Sequence, residues 1–168
     1  MKPEELANHL TEATGSVDRH EILLDQLAVY VSPDNWQAVG RHLRECGRCH
    51  FDYFTFLSAV DLEEEGLEVI CHVYSIRRQH HINMKVRIPR DGGRLRTLSD
   101  VWGGANWHER ETWEMFGIVF EGHPHLVKLY LTEDFEGNPL RKDFLLMTRE
   151  AKEWPGAKEP EEKKEHAG

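Results

Sequence analysis

Three successive segments, residues 51–61, 67–76 and 81–88, are rich in the β-branched and aromatic residues of sheet strands, and very little separates them. The first gap is the acidic turn Glu63-Glu64-Glu65-Gly66, and the second is the short polar run 77–80. Each segment alternates imperfectly, as strands do when helices cover one side of their sheet. Upstream, Leu6, Leu10 and Ala13 recur at helical spacing and Gly15 follows them, which predicts a helix over 3–14. Residues 21–31 are apolar with Asp25 and Gln26 interrupting them, and predict two short strands joined by a tight turn. Ser32-Pro33-Asp34 then opens a second helix, with Ser as cap, Pro in the first position, Trp36, Val39 and Leu43 on one face, and Gly47 at its end. The order helix, two strands, helix, three strands implies a two-layer α+β domain, its helices packed on a largely antiparallel or mixed sheet.

After residue 88 the pattern changes. Pro89 to Gly93 reads as a loop, and residues 95–101 predict a short helix. A longer helix is expected over 106–116, with Asn106 as cap, Glu109 three residues on as in a capping box, and Gly117 at its end. From 121 to 148, glycines and prolines are scattered among apolar residues and no period survives. Leu126, Leu129, Tyr130, Leu131, Phe135, Leu140 and Phe144 make this segment too apolar for a free extension, so an extended strap on a partner surface is expected. Residues 149–168 are charged and carry little besides Trp154 to bury, which reads as a disordered tail. The expected division is a domain over 1–120, a strap over 121–148 and a tail over 149–168.

A chain of 168 residues accommodates one domain with a real core. The net charge of -9 argues against nucleic acid as a partner, because such binding rests on clustered Lys and Arg. The N-terminus lacks a basic start followed by an apolar run, so no secretory signal and a cytosolic protein are expected. No segment approaches the roughly 18–20 apolar residues that span a bilayer, so membrane association is expected only through partners. Three cysteines, an odd number, read as reduced thiols.

Cys46-Gly-Arg-Cys49-His50 has the form of a c-type haem attachment site, but that chemistry takes place outside the cytosol. A zinc site would need Cys71-His72 to complete the set, yet adjacent strand residues point to opposite faces. The plainer reading makes Cys46 and Cys49 a small buried residue and a free thiol; a free-standing metal-binding protein using the pair stands as an alternative. His80-His81 and His123-Pro124-His125 lack the spacing of HExxH, and GxGxxG, P-loop and GxSxG motifs are missing. No catalytic, cofactor-binding or metal-ligating residue is therefore assigned.

The helix expected from Trp107 is unusual in mixing Glu109, Arg110, Glu111 and Glu114 with Trp107, Trp113, Met115 and Phe116. At a free surface its aromatics would face water; in a core its charges would cost several kcal/mol each unless paired. Two arrangements remain open. Either the helix is wedged between its own sheet and a partner, with charge-assisted bonds across the junction, or it is partly exposed with local ion pairs.

Taken together, Trp107-x-Glu109-Arg110-Glu111-x-x-Glu114-Met-Phe116-Gly-Ile118, Gly122-His123-Pro124 and Gly137-x-Pro-Leu-Arg141-Lys142-Asp143-Phe144 resemble the 30 kDa subunit family of NADH:quinone oxidoreductase (complex I). Three positions depart from the usual pattern: Glu114 stands for Asp, Asn138 for His or Tyr, and Leu145 for Pro. The resemblance implies a noncatalytic scaffold subunit in the hydrophilic peripheral arm of a proton-translocating enzyme, on the cytoplasmic side of the membrane. It implies no cofactor in this chain, FMN and the iron–sulfur clusters lying in partners, with electrons passing from NADH to ubiquinone or menaquinone. The implied partners are peripheral-arm subunits, above all the quinone-site subunit and the terminal-cluster subunit. The implied interface comprises Trp107, Glu109, Arg110, Glu111, Glu114, Phe116, His123, Pro124, Arg141, Lys142 and Asp143. Similar domains belong to membrane-bound hydrogenases and to dehydrogenases that oxidise reduced deazaflavin, so the equivalent subunit of such a complex is the alternative.

Overall fold

The computed structural model describes residues 2–24 and 26–145; the tail expected over 149–168 lies outside them. Helix α1 (Pro3–Thr14) opens with proline and with Glu4 and Glu5 in its first turn, where the helix dipole favours negative charge. It ends on Gly15 at φ 58°, whose N–H returns to the Thr11 carbonyl at 2.9 Å. The antiparallel hairpin β1 (Val17–Leu23) and β2 (Gln26–Val31) follows. β1 starts four residues earlier than expected, because its side chains are almost all exposed and leave no apolar alternation to read. Pro33–Asn35 forms a 3-10 turn that leads into α2 (Trp36–Glu45); Ser32 sits at the cap position, but its side chain makes no capping bond.

β3 (Tyr53–Asp61), β4 (Leu67–Ser75) and β5 (His80–Ile88) form an antiparallel meander, as connections this short require. The sheet order is β1-β2-β5-β4-β3, with β2 and β5 parallel, Leu27 opposite Ile82. The sheet is thus mixed. One face carries Leu27 and Val29 of β2, Val69, Cys71 and Val73 of β4, and Ile82, Met84 and Val86 of β5, all buried against Leu6 and Leu10 of α1 and Trp36, Val39 and Leu43 of α2. Among the intervening positions, Glu68 holds Lys85 at 3.3 Å and Arg87 at 3.2 Å. A fully buried anchor such as Trp36 contributes about 3–5 kcal/mol by comparison with alanine.

The short helix expected over 95–101 does not form. Arg94–Arg96 is instead a strand, β6, paired in parallel with β7 (Val119–Glu121), and turns follow from Leu98 to Trp102. Its pairing partner arrives more than twenty residues later, beyond the reach of local periodicity. Helix α3 (Ala105–Phe116) packs on β3 and starts one residue before the expected cap. Asn106 lies within its first turn, and Glu109 forms no capping box there, because its carboxylate faces the turn after β6. Gly117, at φ 76°, ends the helix as expected. From Gly122 to Leu145 the chain is irregular and lies back along α3 and the end of β3. Among the described residues no helix is long and apolar enough to cross a membrane.

Candidate functional site

Glu114 is 4% exposed and accepts three consecutive main-chain N–H groups of the irregular segment, from Leu129 at 2.9 Å, Tyr130 at 3.1 Å and Leu131 at 2.6 Å. Burial pushes its carboxyl upward, but these three donors and Lys128 outweigh it and hold it below the ordinary glutamate range. One turn earlier, Arg110 donates to the carbonyls of Val127 at 2.9 Å and Lys128 at 3.1 Å, with its guanidinium 5.1 Å from the Trp107 ring centroid. The helix thus grips the strap by its acceptors at one position and its donors at another.

Downstream, the strap in turn caps the helix C-terminus, where carbonyls lack intrahelical partners. Asn138 Nδ2 donates to the Glu114 carbonyl at 3.0 Å, the Leu140 amide to Met115 at 3.1 Å and Arg141 Nε to Phe116 at 2.6 Å. Arg141 also donates to the Arg90 carbonyl at 2.8 Å and pairs with Asp91 at 3.1 Å. The Lys142 amide reaches Asp61 Oδ2 at 2.8 Å while its ammonium pairs with Glu63, and Asp143 lies 3.3 Å from Arg90. Asp61 is a hub the sequence reading missed: 4% exposed, it also receives the Glu63 amide at 2.8 Å and Arg90 at 2.6 Å. Burial pushes its carboxyl up, and these donors bring it below the usual range. Its only sequence signal was its place at the end of a strand.

Glu109 is fully buried, its oxygens receiving the Thr97 hydroxyl at 2.5 Å and the Leu98 amide at 2.6 Å. Burial outweighs both bonds and pushes this carboxyl up to about 7. His123 lies 4.0 Å away, donates Nε2–H to the Asn106 carbonyl at 3.1 Å and accepts the His125 amide on Nδ1, the bonding of a neutral ring. Phe116 is in the core and Pro124 is exposed. The helix therefore turns Glu109 and Glu114 inward and Trp107, 62% exposed, outward, with Glu111 at its flank. Trp107, His108, Glu111, Leu129 and Tyr130 line an open groove of about 350 Å³ between helix and strap, and Tyr130 is 68% exposed.

A second cluster lies where α1 meets the end of α2. Cys46 caps α2, and the amides of Cys49 and His50 bond its carbonyl at 3.1 and 2.8 Å, folding the turn so that both sulfurs face His42 of α2 and His9 of α1. Burial pushes the Cys49 thiol up to about 12; at Cys46 burial acts the same way, but the amides of Cys49 and Arg48 outweigh it and lower the value. Cys71 and His72 stand apart, Cys71 in the core and His72 on the other face stacked on Phe56. Cys49 is 0% exposed within the core, which leaves its sulfur out of reach of a covalently attached haem.

A two-layer α+β domain whose last helix clamps an irregular strap, with Arg110 and Glu114 engaged on main chain and Trp107 turned outward, has the build of a docking module. The chain belongs to the family of the respiratory-chain NADH dehydrogenase 30 kDa subunit, whose sequence profile matches residues 29–150. It is 42% identical over 113 residues to an NADH-quinone oxidoreductase subunit of Chlorobium phaeobacteroides, covering 66% of this chain and 68% of that protein. The matching NADH-quinone oxidoreductase subunit of Roseiflexus castenholzii is 40% identical over 126 residues, 74% of this chain and 72% of the relative. Among solved structures, a chain of the membrane-bound sulfane sulfur reductase, an archaeal respiratory membrane complex, superposes with a TM-score of 0.75 at 27% identity over 86% of each chain. A trypsin-resistant fragment of Nqo5 superposes with a TM-score of 0.64 at 27% identity, over 75% of this chain and all of the fragment.

Proposed function

We propose that this chain is a noncatalytic scaffold subunit of the peripheral arm of an NADH:quinone oxidoreductase, carrying no flavin or cluster itself. It holds neighbouring subunits in register while electrons pass from NADH through their FMN and iron–sulfur clusters to quinone, on the cytoplasmic side of the membrane. The observation that carries this reading is the division of labour on α3. Arg110, Glu114, Phe116, His123, Arg141, Lys142 and Asp143 give the strap its shape and Glu109 ties the helix to the turn after β6, while Trp107, Glu111 and Tyr130 line a groove and Pro124 is exposed. Exposed aromatics around a rigid groove are the anchors that protein partners bury. The quinone-site and terminal-cluster subunits are the partners this reading assigns to that surface.

The test is a Trp107→Ala/Tyr130→Ala variant expressed in place of the wild-type chain. Assembled complex and quinone reductase activity should fall in proportion, with the melting temperature of the isolated chain unchanged. Full assembly would sink the docking role, and full assembly with lost turnover would sink the noncatalytic one. The likeness to the sulfane sulfur reductase chain favours a second reading, the equivalent subunit of a related membrane complex such as a hydrogenase or a deazaflavin-oxidising dehydrogenase. Identification of the catalytic subunits that copurify from membranes separates the two.

A further inference from the structure

His9, His42, Cys46 and Cys49 bring two imidazoles and two sulfurs within 4.8 Å of one another, and we propose that they hold a structural zinc ion. The proposal is independent of the scaffold reading and would hold in whatever complex the chain joins. Zinc bound by sulfur at about 2.3 Å and by nitrogen at about 2.0–2.1 Å in a tetrahedron sets ligand-to-ligand edges of about 3.3–3.8 Å. The His9 Nε2 to Cys46 Sγ separation is already 3.3 Å. The remaining edges need to contract by at most about 1.0–1.5 Å, within reach of side-chain rotation.

The chain is built for convergence at this point. His42 and Cys46 are four residues apart at the end of α2 and so share a face. The Cys46-x-x-Cys49 turn adds the second sulfur, and α1 supplies His9 from a separate element. His80 Nε2 donates to the Cys49 carbonyl at 2.9 Å and fixes the turn from β5, the kind of supporting bond that orients ligands. An independent sign is His42 Nε2, a buried ring nitrogen without a hydrogen-bond partner. Such an atom costs about 1–3 kcal/mol unless satisfied, and a bond to metal would satisfy it.

Ligand chemistry selects the ion. Two thiolates and two neutral imidazoles match zinc's preference, and the absence of a carboxylate from the set disfavours calcium and magnesium. Two thiolates also cancel the charge of Zn²⁺, so the filled site places no net charge among half-buried side chains. One rearrangement is required. Arg48 Nη1 lies 3.3 Å from His9 Nδ1, and a His9 bound through Nε2 carries its proton on Nδ1, so the exposed arginine must turn away when metal enters. The sequence reading sought the missing ligands at Cys71 and His72, whereas the fold draws them from the two helices.

The full-length chain, purified under reducing conditions, is assayed for zinc and titrated with Co²⁺. The expected result is one zinc per chain and a cobalt complex with tetrahedral visible bands and near-ultraviolet sulfur-to-cobalt charge transfer, displaced by zinc. Cys49 is buried, so its replacement could unfold the chain; Cys46→Ser and His9→Ala, on the more open side, should each weaken binding about tenfold or more, while Cys71→Ala keeps it. Zinc should raise the melting temperature of the wild type and not of Cys46→Ser. The proposal fails if metal does not bind stoichiometrically, if the sulfur band is missing, or if both variants bind as tightly as wild type. It fails equally if protein from reducing cytosol carries a Cys46–Cys49 disulfide in place of metal.

Discussion

Replacing Glu114 by alanine removes the single acceptor of three successive main-chain donors, and the consequence should be local. A hydrogen bond to a charged group contributes roughly 1.5–3 kcal/mol net. The three are not additive, because Tyr130 is exposed and its amide can be rehydrated once the strap lifts, whereas Leu129 and Leu131 are half-buried. The cost of losing the clamp is therefore close to that of two bonds, about 3–4 kcal/mol. This falls on the opening of the strap around 127–131, with the sheet untouched, so hydrogen exchange at the Leu129, Tyr130 and Leu131 amides should accelerate by about 100–1000-fold. Exchange in β4 and β5 should stay as it is, and Lys128 should become a site of tryptic cleavage. Because the folded carboxyl titrates below its unfolded value of 4.5, the clamp's stabilisation is complete above that pH and lost as the pH falls through the folded value. Wild type should therefore begin to lose strap protection on acidification below about pH 4.5, while Glu114→Ala, already open, shows no such step. Unchanged exchange at the three amides in Glu114→Ala would refute the reasoning.

Glu109 gives the opposite sign. Its folded value, about 7, lies above the unfolded 4.5, so stability is fully present below 4.5 and lost as the pH rises through 7, a deficit of about 3 kcal/mol at pH 8 and above. Glu109→Gln keeps the Leu98 and Thr97 bonds without the charge; urea unfolding should find it near wild type at pH 5 and more stable at pH 8, and an equal difference at both would count against the buried carboxylate. Arg110→Ala deletes two bonds to the strap and the contact with Trp107, and should lower assembled complex and quinone reductase activity together. Normal assembly and activity in that variant would remove Arg110 from the interface.

Where the sequence announced its structure, the signals were local. Pro3 and Gly15 bracket α1, and Glu63 to Gly66 separates β3 from β4, so each boundary is written within a few residues. What escaped depends on distant partners. β6 exists only because Val119–Glu121 comes to lie beside it, and the parallel pairing of β2 with β5 follows from the meander filling the sheet. The same holds for side chains. Glu109 looked like a capping residue because its true donors, Thr97 and Leu98, lie upstream in a turn that periodicity misread as helix. The mixed character of α3 did signal something unusual, but the charges it carries are engaged mainly by the chain's own strap. His9 and His42, each unremarkable on its helix, become neighbours only when α1 and α2 dock on one face of the sheet.

The parallel junction of β2 with β5 also sets an order of events during synthesis. β2 ends at Val31, while its neighbour begins only at His80. On a ribosome adding about 5–20 residues per second, the hairpin emerges and waits roughly 2–10 s with a bare edge before that neighbour exists. The meander of β3, β4 and β5 pairs through nearby contacts and closes soon after it appears, whereas joining the hairpin to it needs the long loop between them to close first. The nascent chain is thus most vulnerable to edge-to-edge association in the interval before β5 is exposed, and a chaperone that holds its first fifty or so residues would act at that window.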